Sequence, residues 1–425
     1  MTLKVALTNL GCRVNRVELD MMANQLEAAG AELVGEKDAA CVVINTCGVT
    51  GEAEAKSRKA VRHAAGLPNK PLVIATGCVA SLFSAELEEL GENVCVVSDK
   101  RTVAGHILEA FEGQCTPGEG TAAGPLAASA GVTPTGRTRP GIQVQDGCDN
   151  RCTYCIIWKA RGRARSFDPQ GIVDEVNASI ERGAHEVVLT GINLGDYRWG
   201  QDGADPMRLP QLLDLVLSQT SIERVRLSSI EPPDVTAELV SLMAASGGRV
   251  APFLHICLQS GCDETLRRMA RVYRTDLFRK NVQLARELLP NVALGTDLIV
   301  GFPGETDEQF IASLTFCQEM RFAKMHIFRY SKRPGTPAAT FPDQVPPEVM
   351  AERSKQAHAL AAQMRLTEAK KLVGTTDLAL VQYPGRAVSG GLFDVAVDPA
   401  YALDSLVPVR FESVRDDATL TGVAL

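Results

Sequence analysis

Between residues 3 and 112, short apolar runs alternate with stretches in which apolar residues recur every three or four positions. LKVALTNL, CVVIN, PLVIATG and NVCVV read as parallel strands buried on both faces, and the segments between them as crossover helices. This pattern predicts an open α/β layer, Rossmann-like, of four or five strands. From residue 140 the alternation restarts, with strands predicted at GIQVQ, HEVVLT, RVRLSS, FLHICLQ, VALGTDLIV and KMHIFRY. Helix starts are signalled by Asp168-Pro169 (a cap, then proline in the first turn) and by Thr306 with Gln309 three residues on. Six such β-α units predict a partial (β/α)6 barrel. A last helix over about 347–371 leads into VGTTDLALVQY, GLFDVAVD, LVPVRFESV and TLTGVAL, strands separated by Gly, Pro and Asp turns. A small β-barrel over 372–425 is expected. Residues 113–139, rich in Gly, Ala, Pro and Thr, read as a flexible linker. The expected fold is α/β, with domains at 1–112, 140–371 and 372–425.

Onto this frame the cysteines fall in two sets. Cys148, Cys152 and Cys155 form a C-x3-C-x2-C array directly after the first predicted barrel strand, on the rim where barrel active sites form. Three thiolates within eight residues suit an iron–sulfur cluster that keeps one iron free of protein, because no fourth cysteine follows within a hundred residues. The rival reading is zinc, which takes four closed ligands as two pairs, or plain buried cysteines. Cys12, Cys47 and Cys78 each follow the end of a predicted strand, and ligands of open α/β sheets bind beyond strand carboxyl ends. The three can therefore converge despite separations of more than thirty residues; packing roles are the alternative. Cys41 and Cys95, inside strands, read as small buried hydrophobes, and Cys115, in the linker, as a bystander.

Composition narrows the classes. The chain has 425 residues, twelve of them cysteine, and a net charge of −7, so any nucleic-acid site must be local. No uncharged apolar run approaches a membrane span, and the N-terminus lacks a secretory leader pattern. A cytoplasmic protein without a membrane partner is expected. Local basic charge exists: between Arg137 and Arg165 seven basic residues face two acids. Arg161, Arg163 and Arg165 directly follow the cysteine loop and are candidate phosphate contacts. Arg267, Arg268, Arg271 and Arg274 form a second basic group. The six histidines show no motif spacing, and no paired carboxylates suggest hydrolysis.

In this order, LGCRVNRVELD, INTCGVT, TGC, DGCDNRCTYCII, ARGRARS, VVLTGINLGDY, LSSIEP, LQSGCDETLRRM, DLIVGFPGET and YSKRPGTPA resemble the radical S-adenosylmethionine methylthiotransferase family from end to end. The string ARGRARS together with LTGINLGDY and RLSSIEP is most similar to the branch that modifies N6-threonylcarbamoyladenosine beside the tRNA anticodon. The branches acting on isopentenyl-adenosine and on a ribosomal-protein aspartate are the alternatives. The resemblance implies two [4Fe-4S] clusters: one on Cys148, Cys152 and Cys155 that binds S-adenosyl-L-methionine, and an auxiliary one on Cys12, Cys47 and Cys78. It implies radical attack on an aromatic C–H of the base followed by sulfur insertion, with tRNA as substrate and an external electron donor and sulfur source as partners.

Position and resemblance together nominate side chains for the cofactor. Thr190, Gly191 and Asn193 end the second barrel strand, Ser229 and Glu231 the third, Gln259 and Ser260 the fourth, and Asp297 to Gly301 the fifth. Gly301 is expected to let backbone approach the adenine, and Tyr154 to shield the cluster. The tail corresponds to the family's RNA-binding barrel, but its three basic residues against seven acids make a poor electrostatic match. RNA is therefore expected to be held mainly by the other two domains. Two further classes stay open: a radical enzyme whose auxiliary cluster only transfers electrons, and a non-catalytic iron–sulfur RNA-binding protein.

Overall fold

In the computed structural model, which describes residues 2–111, 133, 135–200 and 205–425, strands β1 (Lys4–Asn9), β2 (Glu32–Leu33), β3 (Cys41–Thr46), β4 (Leu72–Gly77) and β5 (Val94–Val96) form one parallel sheet in the order β2-β1-β3-β4-β5. Most of the expected linker, Cys115 included, lies outside the described residues. The apolar runs alternate between two cores. Val5, Cys41, Val43 and Ile74 pack with Leu19, Met22 and Leu26 of helix α1 (Arg13–Ala28). Ala6, Val42, Ile44, Val73 and Ala75 pack with Val61, Ala64 and Ala65 of helix α2 (Gly51–Ala65) on the other face. Covering both faces is why these strands read as unbroken apolar runs. Cys41 is fully buried, as expected. Cys95 is not: β5 is the sheet edge and turns this side chain outward.

Two compact units divide the chain. The first comprises Met1–Arg137, Gly147–Asp149 and Cys155–Arg163; the second comprises Thr138–Asp146, Asn150–Tyr154 and Ala164–Leu425. In the second unit, β6 (Gly141–Gln143), β7 (Glu186–Thr190), β8 (Arg224–Leu227), β9 (Ser229–Ile230), β10 (Phe253–Ile256), β11 (Ala293–Val300) and β12 (Lys324–Arg329) run parallel. β8 and β9 are one path interrupted at Ser228, so the order β6-β7-β8 and β9-β10-β11-β12 is the partial six-unit barrel that the sequence predicts. The nominated caps form as expected. The Asp168 carboxylate accepts from the Gly171 amide at 2.9 Å, and the Thr306 hydroxyl accepts from the Gln309 amide at 3.3 Å. The last helix, Pro347–Leu372, precedes a closed five-stranded barrel: Thr376–Tyr383, Arg386–Val388, Asp394–Ala396, Leu420–Ala424 and Leu406–Val414. None of the described helices is long and apolar enough to cross a membrane.

This terminal barrel belongs to the second unit, and buried charge ties it there. Glu186 is fully buried and accepts from Arg224 Nε at 2.5 Å and from Arg226 Nε at 2.7 Å. The same guanidiniums donate to carbonyls of the tail, Arg224 to Leu378 and Arg226 to Gly390 and Ser389. Burial alone would raise the Glu186 pKa, but Arg226, Arg224 and Arg139 more than offset it and hold the carboxyl down at about 2. Because the folded value lies below the unfolded one, this stabilisation is full above about pH 4.5 and is lost as pH falls toward 2. The shift corresponds to about 3 kcal/mol. Replacing Glu186 by Ala strands two buried guanidiniums and should cost about 3–5 kcal/mol in urea unfolding. Glu186→Gln should remove this group's own contribution and make the fall in stability between pH 4.5 and pH 2 shallower; an unchanged pH profile would contradict the assignment.

Candidate functional site

In the first unit the carboxyl edge of the sheet carries the first cysteine set. In-register pairing of Asn9 with Asn45, Asn45 with Thr76 and Thr46 with Gly77 sets the strand ends side by side. Cys12 is the N-cap of α1, Cys47 begins the loop after β3, and Cys78 opens helix α3 (Cys78–Leu82). The three come together. Burial pushes the Cys47 thiol up to about 11, and Cys12 and Cys78 both add to the rise by their proximity. The bare face of Gly48 lies 3.5 Å from the Cys78 Cβ. Gly77, immediately before Cys78, has φ +94, and a Cβ there would collide with the Thr46 carbonyl. Glycine is what allows strand β4 to turn into α3 beside Cys47.

Beneath the thiols lies a buried polar frame. The Asn15 and Asn45 side chains meet at 3.1 Å; Asn15 Nδ2 donates to the Thr46 carbonyl at 2.8 Å, and Asn45 Nδ2 to the Asn15 carbonyl at 2.7 Å. The Cys12 thiol donates to Asn15 Oδ1 at 3.5 Å. Thr46 Oγ1 caps α3 by accepting from the Val79 and Ala80 amides, and Ser57 Oγ accepts from the Cys47 amide at 3.0 Å. Asn9 Oδ1 and Thr76 Oγ1, at the ends of two cysteine-bearing strands, are buried without a hydrogen-bond partner. The Thr76 hydroxyl can donate to sulfur, and three soft sulfur donors suit iron.

The second set lies on the loop after β6. Gly147, before Cys148, has φ +72, and a Cβ would collide with the Arg163 carbonyl. The Cys148 amide donates to the Gly162 carbonyl at 3.1 Å, and the Ile157 amide to Cys155 Sγ at 3.4 Å. In the second unit, Arg271 Nη1 donates to Cys152 Sγ at 2.9 Å. That arginine also pairs with Glu231 and donates to Tyr273 Oη at 3.1 Å. Tyr154 packs its ring among Met269, Ile299, Phe302 and Tyr330. Cys152 thus has a cationic donor at its sulfur and Cys155 an amide donor.

The nominated cofactor residues divide. Asn193 Oδ1 is buried and unpartnered at the end of β7, its amide held by Gln145 Oε1 at 2.9 Å, with the bare face of Gly191 against the same oxygen. Ser228 Oγ, beside Ser229, is a second such orphan. Gln259 holds φ +65, a strained conformation for a non-glycine residue at a strand end. Three expectations change. Ser260 is fully buried, its hydroxyl 3.0 Å from Ser313 Oγ and accepting from the Cys262 amide, so it pins the loop. The bare face of Gly301 is filled by Met350, and its amide donates to Glu305 Oε2 at 2.7 Å, so the room expected for adenine is taken. The Thr190 carbonyl is committed to the Val144 amide. Glu231 keeps its place just beyond β9, whereas Asp297 lies within β11, before its end at Val300, which corrects the strand-end expectation; each has a partner that sequence reading missed: Arg271 for Glu231, and for Asp297 the pair His255 and Cys257. His255 Nε2 lies 3.1 Å from Asp297 Oδ1, and Cys257 Sγ 3.9 Å from Oδ2. The only signal for Asn15 was its i+3 spacing from Cys12 on one helix face.

Two family models match, the Radical SAM superfamily over residues 142–317 and Uncharacterized protein family UPF0004 over residues 4–98. Threonylcarbamoyladenosine tRNA methylthiotransferase MtaB of Thermotoga maritima is 35% identical, over 89% of this chain and 86% of its own length. The chain belongs to the radical S-adenosylmethionine methylthiotransferases. Within them, tRNA-2-methylthio-N(6)-dimethylallyladenosine synthase of Syntrophobacter fumaroxidans is 34% identical over 89% of this chain and 85% of its own. Among solved structures, the radical S-adenosylmethionine methyltransferase TsrM of Kitasatospora setae superposes with a TM-score of 0.53 at 16% identity, covering 91% of this chain and 80% of its own, which shows the shared fold.

In this methylthiotransferase the expected arginine triplet is split. Arg163 has a side chain 87% exposed and Arg165 one 51% exposed, each beside a carboxylate, Asp149 and Asp146 respectively. Arg161 is corrected: its side chain is 2% exposed and bound to Glu18, which removes it from any phosphate. Arg271, from the second basic group, is also buried. Gly77→Ala should disturb the thiol edge directly. The variant is expected to lose about 1–3 kcal/mol of stability, from the strain of φ +94 and the collision at Thr46. Iron bound per chain after reconstitution should fall with it; wild-type iron content would argue against the close packing of β3 and β4 at this edge.

Proposed function

We propose that this methylthiotransferase converts N6-threonylcarbamoyladenosine beside the anticodon of cytoplasmic tRNA to its 2-methylthio derivative. The observation that carries the reading is the meeting of Cys12, Cys47 and Cys78 at one sheet edge, in a chain that also bears the Cys148, Cys152, Cys155 array. Cys148, Cys152 and Cys155 would hold one [4Fe-4S] cluster and Cys12, Cys47 and Cys78 a second. When bound, such clusters supply one-electron cleavage of S-adenosylmethionine and a source of sulfur, which an unactivated aromatic C–H requires because no side-chain base removes its proton. A second S-adenosylmethionine as methyl donor, an external electron donor and a sulfur source complete the reaction.

The chain's own groups then have definable tasks. Arg271 donates to Cys152 and ties it to Glu231. Asn193 Oδ1 and Ser228 Oγ offer acceptors to the polar atoms of S-adenosylmethionine. Arg163 and Arg165 supply exposed cationic charge next to the cysteine loop, suited to phosphates. The similarity to threonylcarbamoyl- and dimethylallyl-specific relatives at 35% and 34% identity makes the base modification the property to measure.

Mass spectrometry of tRNA nucleosides from cells with and without the gene tests the reading. Loss of 2-methylthio-threonylcarbamoyladenosine is the expected result, and loss of the isopentenyl analogue instead would move the substrate to the neighbouring branch. Cys47→Ala should abolish methylthiolation while reductive cleavage of S-adenosylmethionine persists; an intact methylthio product would overturn the sulfur-donor role. Arg163→Glu with Arg165→Glu should weaken tRNA binding and reduce the slope of log affinity against log salt by about 1 per lost phosphate contact. A constant slope would exclude these two side chains from RNA contact.

A further inference from the structure

Arg161 is the last residue of helix α4 (Ile157–Arg161), which begins two residues after Cys155 and packs against α3, the helix opened by Cys78. Its side chain is buried, and both terminal nitrogens have partners on α1. Nη1 donates to Glu18 Oε1 at 2.7 Å; Nη2 donates to Asn15 Oδ1 at 2.8 Å and to Glu18 Oε2 at 3.3 Å. Lys100 Nζ reaches the same Glu18 carboxylate at 2.9 Å. Asn15 Oδ1, which takes the Arg161 proton, also takes that of the Cys12 thiol. Arg161 thus shares the Asn15 acceptor with the Cys12 thiol, and two cations meet at the Glu18 carboxylate. Arg161 is near enough to both Cys12 and Cys47 to act on them electrostatically.

We infer that Arg161, with Lys100 and Glu18, is a positioning and charge-compensating device for the site formed by Cys12, Cys47 and Cys78. The inference rests on the reading of those cysteines as the auxiliary cluster site. Three thiolates would gather negative charge at one sheet edge, where Cys47 and Cys78 are buried, and an added electron makes that charge larger. A fixed buried cation opposes it, and local charge and burial are levers on the potential of a thiolate-held cluster. Helix α1 adds the partial positive charge of its N-terminus at Cys12. The placement also couples the two cysteine sets in sequence, because the residue that serves Cys12 and Cys47 closes the short helix after Cys155. A lysine would keep the charge but lose the two-pronged grip on Glu18 and Asn15.

The test uses full-length protein carrying Cys148→Ala, Cys152→Ala and Cys155→Ala, reconstituted with iron and sulfide, so that one cysteine set remains. The midpoint potential is read by electron paramagnetic resonance during redox titration. Arg161→Gln is expected to shift the midpoint to more negative values, Lys100→Gln to shift it the same way, and Glu18→Gln to shift it to more positive values. Arg161→Lys should restore most of the Arg161→Gln shift. A merely structural disturbance would not give opposite signs for Arg161 and Glu18. Unchanged midpoints, or shifts of the same sign in Arg161→Gln and Glu18→Gln, overturn the inference. Should Arg161→Gln fail to fold, the signs of Lys100→Gln and Glu18→Gln decide it. Failure of the triple-alanine protein to take up iron with Arg161 intact overturns the auxiliary-site reading itself, a distinguishable result.

Discussion

In-register parallel pairing is the constraint on which the rest of this molecule depends. A parallel sheet brings the carboxyl ends of its strands to one edge, and the pairing of Asn9, Asn45 and Thr76 across β1, β3 and β4 sets those ends level. Cys12, Cys47 and Cys78 are the first cysteines beyond them. A slip of one residue in any ladder would turn its side chains to the opposite face and separate the thiols. The reciprocal bonds between Asn15 and Asn45 guard against that, because they join the first turn of α1 to the end of β3. The barrel follows the same rule. Asn193, Ser228, Glu231 and Gln259 follow the ends of parallel strands, so candidate cofactor groups share a rim because their strands share a direction.

Buried guanidiniums complete what the sheets begin. Arg161, Arg226 and Arg271 are each withdrawn from water and each paired with a carboxylate: Glu18, Glu186 and Glu231. Taking such charges out of water is expensive, so the fold tolerates them only where several partners are supplied together. Each then joins segments far apart in sequence. Arg161 joins the segment after Cys155 to α1, Arg226 joins β8 to the terminal barrel, and Arg271 joins Cys152 to the end of the third barrel strand. Packing of aliphatic side chains could hold these segments together, but it would not fix a charge within reach of a thiol.

The same facts explain what was legible in the sequence. Strands were visible because a parallel strand buried on both faces leaves an unbroken apolar run, as CVVIN does. The cysteine sets were visible because spacing and strand ends are written in the chain. Burial of arginine was not. Arg161, Arg163 and Arg165 alternate as if on one face of an extended segment, yet Arg161 ends a helix and Gly162, at φ +73, breaks the period. Arg161 therefore points into the protein while Arg163 and Arg165 point out. Gly301 misled for a related reason: the atom that fills its bare face comes from Met350, on a helix that local pattern cannot orient. Cys95 was misjudged because a three-residue strand does not announce that it is the sheet edge.

The terminal barrel shows how structural and electrostatic readings combine. Its surplus of acids argues against RNA binding through long-range attraction, while its carbonyls at Leu378, Ser389 and Gly390 accept from arginines of the central barrel. Those carbonyls need no basic surface to do this, and Glu186 neutralises the guanidiniums that reach them. The tail is thus held by Arg224 and Arg226 of the third barrel strand, whatever its outer surface meets. Exposed cationic charge lies instead at Arg163 and Arg165, directly after the cysteine loop in sequence.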